Sequence, residues 1–224
     1  MKFLLFKTSR KQLFVSSFLL FSLAKLAQEK NKDTTQVNQL DEVLVSAIRV
    51  TSKTPVSFSN LSKKEIQNRN LGQDIPILMN YLPSVVTTSD AGNGVGYTGI
   101  RVRGSDATRV NVTINGIPYN DSESHGTYWV NMPDFASSLQ SVQLQRGVGT
   151  STNGSGAFGA SLNMLTDSYS EKASGEISNS FGSFNTRKNT VKLSTGLLND
   201  HFEIAGRVSN LQSDGYIDRA SSDL

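Results

Sequence analysis

The sequence predicts a small α+β domain followed by a run of antiparallel strands. Three observations predict it: two helix-start signals between residues 62 and 83, period-two alternation from Ser89 onward, and turns rich in glycine, serine and asparagine that divide the alternating stretches. Cysteine is absent, so stability has to come from a core or a larger assembly rather than from disulfides.

The first 24 residues precede that domain and have the build of a secretory signal. Lys2, Lys7, Arg10 and Lys11 form a positive start, LFVSSFLLFSLA (13–24) an apolar run, and Ser22-Leu23-Ala24 offers small residues at the cleavage positions, Ser22 and Ala24, for cleavage after Ala24, with Ala27 as the alternative. The apolar run is shorter than the ~20 residues of a membrane-spanning helix. The signal holds four of the 22 basic residues and none of the 19 acidic ones, which leaves 18 basic against 19 acidic residues in the remainder. The apparent basicity belongs to the signal, and a nucleic-acid footprint is not expected.

Residues 25–40 are polar and aperiodic and read as a flexible leader. DEVLVSAIRV (41–50) is a short β-prone island with two readings: the first strand of the following domain, or a peptide that adds to the edge of a partner's sheet. Ser62 and Glu65 in SKKEIQNRN make a capping box. Asp74 is the expected N-cap of a second helix over DIPILMNYL, with Pro76 in its first turn and Pro83 ending it. Strands are expected over IRVRG (100–104), VNVTINGIPYN (110–120), SVQLQRG (141–147) and SLNML (161–165), and Asn115-Gly116 is a hairpin signal.

Gly154, Gly156 and Gly159 spell G-x-G-x-x-G, the spacing of a dinucleotide-binding turn. Seven residues separate the strand VQLQR from Gly154, and ASLNMLTDSYS after Gly159 alternates instead of opening a helix. Without a helix N-terminus there is nothing to hold a pyrophosphate, so the glycines are read as tight-turn and close-packing residues and no cofactor is expected.

From residue 173 the alternation takes the form of three segments joined around Ser183-Phe184-Asn185 and Leu198-Asn199-Asp200. Ile177, Val191, Leu193, Phe202, Ile204 and Val208 fall on one side, and Glu176, Lys188, Lys192, Glu203 and Arg207 on the other. Outer-membrane barrel strands and a soluble β-sandwich both give this pattern.

Taken in order, these pieces resemble the N-terminal part of a TonB-dependent outer-membrane receptor. DEVLVSAIRV is similar to the TonB box, IRVRGSDATRVNVTINGIPYND to the plug domain's Arg-Gly segment and following hairpin, and VQLQRGVGTSTNGSGAFGASLNMLT to its closing block. Val148, Asn153 and Ala160 depart from the usual proline, tyrosine and second glycine of that block. The resemblance implies an α+β plug domain over 51–168 followed by the first antiparallel strands of a transmembrane β-barrel from 169 to 224. Plugged barrels of this kind have about 22 strands. The 56 residues after Ser168 suffice for three or four, so the expectation is an incomplete barrel and a chain that is a fragment or a truncated product.

The same resemblance implies transport without chemistry, in the outer membrane, with TonB and barrel lipid as partners. Residues Asp41, Glu42, Val43, Leu44, Val45 and Ser46 are the expected TonB-binding strand. Ligand contacts are expected from the loops 89–99 and 119–129 through Tyr97, Tyr119, His125, Tyr128 and Trp129, whose rings suit stacking and hydrogen bonding to a chelate. Arg103 and Arg146 resemble the plug arginines that lock onto barrel carboxylates. The two histidines, His125 and His201, stand far apart without cysteine, and no metal site is expected. A His125, Asp121 and Ser122 triad would crowd one loop without a strand to hold it. Only about 16 residues precede Asp41 after the signal, which points to a plain receptor for an iron chelate, with haem or cobalamin as alternatives. A secreted adhesion module and a periplasmic enzyme remain the rival classes, and neither accounts for the order of the motifs.

Overall fold

The computed structural model describes residues 49–224 apart from Ser155. The signal, the leader and residues 41–48 of the box, among them Asp41 to Ser46, lie outside the described residues. Strand β1 (Ser57–Ser62) opens the domain, seven residues beyond the β-prone island and in a stretch whose serines hid it. Its last residue caps α1 (Lys63–Arg69): Ser62 Oγ accepts from the Glu65 amide, and Glu65 Oε2 accepts from the Ser62 amide at 2.8 Å. The capping box read from the sequence is therefore present. Ile66 is the one residue of α1 that is buried.

The second helix is shorter than the sequence suggested. α2 spans Ile75–Met79, and Asp74 precedes it with extended backbone but no side-chain cap. The missing cap has a local reason. A cap bonds the second or third amide of the helix; Pro76 supplies no N–H, and the Ile77 amide already donates to the Asp74 carbonyl at 3.0 Å. The Asp74 carboxylate turns instead to Thr98, whose Oγ1 donates to it at 2.8 Å.

Strands β2 (Val85–Ser89) and β3 (Thr98–Val102) form a separate antiparallel hairpin. The main sheet is completed by β4 (Val110–Ile114), β5 (Ile117–Pro118), β6 (Leu139–Arg146) and β7 (Ala160–Thr166), in the order β1-β6-β7-β4-β5. Only β4 and β7 run parallel; the other neighbours are antiparallel. Asn115 takes φ 50° and Gly116 φ 83° at the β4–β5 turn, the left-handed pair that an Asn-Gly hairpin requires.

Side chains alternate across each strand, so the sheet has two unlike faces. Val110, Val112, Val142, Leu144, Ala160, Leu162 and Met164 point to one, where Ile66, Ile75, Leu78, Met79, Trp129 and Met132 complete a single core. The opposite face carries amides and hydroxyls. Asn111, Ser161 and Gln145 share one row across β4, β7 and β6, and Thr113, Asn163, Gln143 and Asn60 share the next across β4, β7, β6 and β1. Apart from Asn60, all of these residues are buried, and Arg49 and Val50 lie over the second row.

Strands β8 (Ser174–Phe181), β9 (Arg187–Ser194), β10 (Ala205–Ser213) and β11 (Ser222–Asp223) form an open antiparallel sheet in the order β11-β10-β9-β8. Its turns fall at the two predicted places, with Phe184, Asn185, Asn199 and Asp200 all at positive φ. Ile177, Val191 and Val208 stand in register on one face, and all three are exposed. Lys188, Lys192 and Arg207 occupy the other face and meet the α+β domain through the carboxylates described below. The architecture is an α+β plug followed by antiparallel barrel strands, with no closed barrel among the described residues.

Candidate functional site

The start of β4, the end of β6 and the start of β7 lie at one end of the main sheet, and three loops gather there. The loop 119–129 is pinned by its own polar residues. Asn120 Oδ1 accepts from the Val112 amide at 2.7 Å, and its Nδ2 donates to the carbonyls of Val110 and His125. Asp121 accepts from the amides of Glu123 and Ser124 and from Ser124 Oγ at 2.8 Å. Those bonds, the Ser124 amide first, hold its carboxyl below the usual carboxylate range. Asp121 is thus committed to shaping the loop, which leaves the imagined triad without its acid.

Beside this loop is an open cleft of about 600 Å³ lined by Thr108, Arg109, Asn111, Asn120, Asp121, Ser122, Ser124, His125 and Gly156. Its wall combines a guanidinium, an imidazole, amides, hydroxyls and the Asp121 carboxylate, and the donors among them suit a polar, multidentate, oxygen-rich ligand. Gly159 brings the glycine-rich loop close: an added Cβ there would stand 2.5 Å from Ser105 Cβ and 3.1 Å from the Arg109 carbonyl. Of the three glycines, Gly159 allows this close approach, Gly154 takes a turn at φ 76°, and β7, not a helix, follows them.

The five aromatic candidates do not converge. His125 is exposed, at φ 59°, and lines the cleft; Tyr119 and Tyr128 are exposed on the same loop. Tyr97 is exposed on the β2–β3 hairpin, where its carbonyl accepts from the Asp90 amide. Trp129 is buried in the core, 3% exposed, with no ring face to offer a ligand. Arg109, Asn111 and Asn120 were missed. The signal that points to them is their place at both ends of one hairpin, which folds the residue before β4 back against the loop after β5.

The arginines of the expected lock also sit at this end. Arg146 Nη1 donates to Ser59 Oγ at 2.7 Å, and an added Cβ on Gly147 would stand 3.2 Å from Arg103 Nη1. Both thus have neighbours inside the plug. The ionic contacts that do cross to the barrel strands have the opposite polarity. Asp134, on a 3₁₀ turn at φ 48°, accepts from Lys188 Nζ at 2.6 Å and Arg207 Nη1 at 2.7 Å, and from Ser209 Oγ at 2.6 Å. Burial alone would raise its carboxyl, but the bonds from Lys188 and Ser209 and the Lys188 charge outweigh it and hold it below the usual range. Asp167 pairs in the same way with Lys192 and, at 2.7 Å, with Lys63.

Asp74 is shifted the other way. Burial pushes its carboxyl up to about 6, against the opposing bonds from Thr98 and Gly96. A carboxyl raised above its ordinary value contributes most when protonated; its contribution is full below about 3.8 and is lost as pH rises through about 6. Wild-type stability is therefore expected to fall between pH 4 and 7, with Asp74→Asn flattening that slope and raising stability at pH 7.5 by up to about 3 kcal/mol. Thermal melts of both proteins across this range are the measurement, and a constant difference between them at every pH would sink the assignment.

A search of curated proteins found no match. Among solved structures, the chain is similar to the alcaligin outer membrane receptor FauA of Bordetella pertussis, at 20% identity over 72% of this chain and 27% of that one, TM-score 0.57. It is similar to the ferric yersiniabactin uptake receptor FyuA of Yersinia pestis at 20% identity over 74% and 25%, TM-score 0.52. The ferripyoverdine receptor of the outer membrane of Pseudomonas aeruginosa matches at 15% identity over 72% and 21%, TM-score 0.57. The chain spans 21% to 27% of the length of these receptors, and the likeness shows a shared fold. The family described as TonB-dependent Receptor Plug Domain matches residues 50–161, half of the sequence and nearly all of the α+β domain. With the plug, the open barrel sheet and this match together, the chain belongs to the TonB-dependent receptor plug domain family, a component of outer-membrane receptors rather than an enzyme.

Proposed function

We propose that the chain is the plug-bearing part of a receptor that takes up an iron chelate of the siderophore class across the outer membrane, energised by TonB. The observation that carries this reading is the polar cleft of Arg109, Asn111, Asn120 and His125 at the loop end of the sheet. A ferric chelate presents carbonyl, catecholate or hydroxamate oxygens, which arginine and amide donors recognise well. The siderophore receptors that share the fold support the choice of ligand class. The exposed row Ile177, Val191 and Val208 supports contact with lipid.

TonB is assigned to residues Asp41 to Ser46 by strand addition, in which backbone bonds give affinity and alternate side chains specificity. Val45→Pro removes a backbone donor from that pairing. Uptake and surface binding of ⁵⁵Fe-labelled hydroxamate and catecholate chelates by cells carrying the receptor test both halves. The expected result is saturable binding of one chelate class by both proteins, with uptake abolished in Val45→Pro. Failure of both classes to bind sinks the ligand, and wild-type uptake by Val45→Pro sinks the box.

A further inference from the structure

The loop 90–97, which joins β2 to β3, folds against Asp74 at the start of α2. The Asp74 amide donates to the Gly94 carbonyl at 2.9 Å, and Thr98 Oγ1 donates to Asp74 Oδ2 at 2.8 Å. Asp74 and Val95 are each 3% exposed. Asp74 Oδ1 is buried and has no hydrogen-bond partner among the described residues. The loop bends through Gly92, Gly94 and Gly96, at φ 71°, 81° and 89°. Its tip reaches β11 and the segment before it: Asn93 Nδ2 donates to Ser222 Oγ at 3.3 Å, and a Cβ on Gly92 would stand 3.2 Å from Tyr216 Cδ1 and 3.4 Å from Ile217 Cγ1. The ionisable side chains on the elements around Asp74 are Arg69 at the end of α1, Tyr81 beyond α2, Asp90 and Tyr97 in the loop and Arg101 on β3, while β2 carries none. Arg69 stacks on the Tyr81 ring, and Arg101 pairs with Asp106. None of the five acts on Asp74, where burial is set only against the bonds from Thr98 and Gly96.

We infer that Asp74 is a proton-operated latch on the loop 90–97: the protonated acid holds the loop closed on α2, and ionisation releases it together with its contacts to Tyr216 and Ser222. A buried carboxylate without a cation beside it is costly, and it regains water when the covering loop lifts. The closed loop therefore binds the proton more tightly than the open one, in which the hydrated carboxyl returns towards 3.8. Opening is suppressed below that value, grows as the pH rises to about 6 and levels off above it. Lifting the loop relieves the buried charge short of unfolding, so the latch adds a local motion to the loss of stability expected from the same group.

The latch goes beyond the uptake reading and does not rest on it, since its test uses the purified receptor with neither chelate nor TonB. Amide hydrogen exchange between pH 4 and 7.5 reads the loop at the amides of Asp74 and Gly96. Corrected for intrinsic rates, protection at both is expected to fall about tenfold or more up to pH ~6 and then to level off. Low urea should leave it unchanged, because the opening is local. Asp74→Asn, neutral at every pH, should hold protection constant across the range. Thr98→Val removes a bond that favours the charged form, so the fall should extend to higher pH, and this variant serves should Asp74→Asn not fold. Protection that is flat in the wild type, that falls equally in Asp74→Asn, that levels off at the same pH in Thr98→Val, or that follows urea in step with the core amide of Leu144 would each overturn the latch.

Discussion

Asp134→Ala is expected to destabilise the protein by about 3–5 kcal/mol, because it leaves Lys188 buried and unpaired. Lys188 is 2% exposed and Asp134 3%, so neither charge has water to fall back on. Arg207, at 21%, can turn outward and suffers less. The carboxylate also gathers Ser137 and Ser209, so its loss frees hydroxyls on both sides of the contact between the plug and β8–β10. Breaking one partner costs more than removing both, so Asp134→Ala with Lys188→Met should recover most of the loss. The sign of the pH dependence follows from the depressed carboxyl: the contribution is present above the ordinary value of 3.8 and is lost as pH falls through the lower folded value. Denaturant melts of the single and double variants, with proteolysis of the 182–186 turn as a probe of undocking, are the measurement. A single variant within about 1 kcal/mol of wild type would mean that the pair does not hold the two sheets together.

The lock was half legible in the sequence. Lys188, Lys192 and Arg207 fell together on the polar side of the tail by alternation alone, and the structure turns that side to the plug. Their partner was not legible. Asp134 lies in a loop whose only local sign is the left-handed backbone that an aspartate tolerates. No periodicity connects residue 134 with residues 188 and 207; the contact exists only once the tail folds back. The arginine residues singled out by resemblance, Arg103 and Arg146, are seen against Gly147 and Ser59 of their own domain. Their expected barrel partners stay a proposal.

The strands were legible where alternation was strict. VNVTI, SVQLQ and SLNML each place aliphatic residues on alternate positions, and those residues make the core. The same stretches also held an unused signal: the intervening residues Asn111, Thr113, Gln143, Gln145, Ser161 and Asn163 carry no formal charge. A solvated face of a sheet attracts lysine and glutamate, whereas a run of amides and hydroxyls marks a face that is covered and satisfied from within. The strand β1 escaped because SFSNLS has one buried aliphatic residue, Leu61, and owes its place to the β6 edge rather than to its own pattern. The uncapped start of α2 was the opposite case, in which the local signal was right in kind but Pro76 removed an amide that the cap needed.

Trp129→Ala is expected to cost about 3–5 kcal/mol in stability while leaving chelate affinity of the folded protein within twofold of wild type. The sequence placed this residue among five candidate ligand rings, since it closes an aromatic and polar loop. The structure separates it from its neighbours. Tyr128 is 49% exposed, but the next residue enters a 3₁₀ turn and carries its indole into the core cluster that includes Met132, Val112 and Leu162. Removing so large a side chain from a closed core loses both its burial and the packing around the void, and no charged or polar neighbour can refill it. Tyr128→Ala removes a ring of similar size from the surface and should change stability by no more than about 0.5 kcal/mol. Because a destabilised plug lowers apparent affinity through the fraction unfolded, binding has to be read at a temperature where both variants are folded. Urea melts give the stability difference, and equilibrium binding of the chelate taken up in the transport assay gives the affinity. A Trp129→Ala protein that melts like wild type yet binds tenfold more weakly would put the indole at the ligand and take the loop 119–129 out of the core.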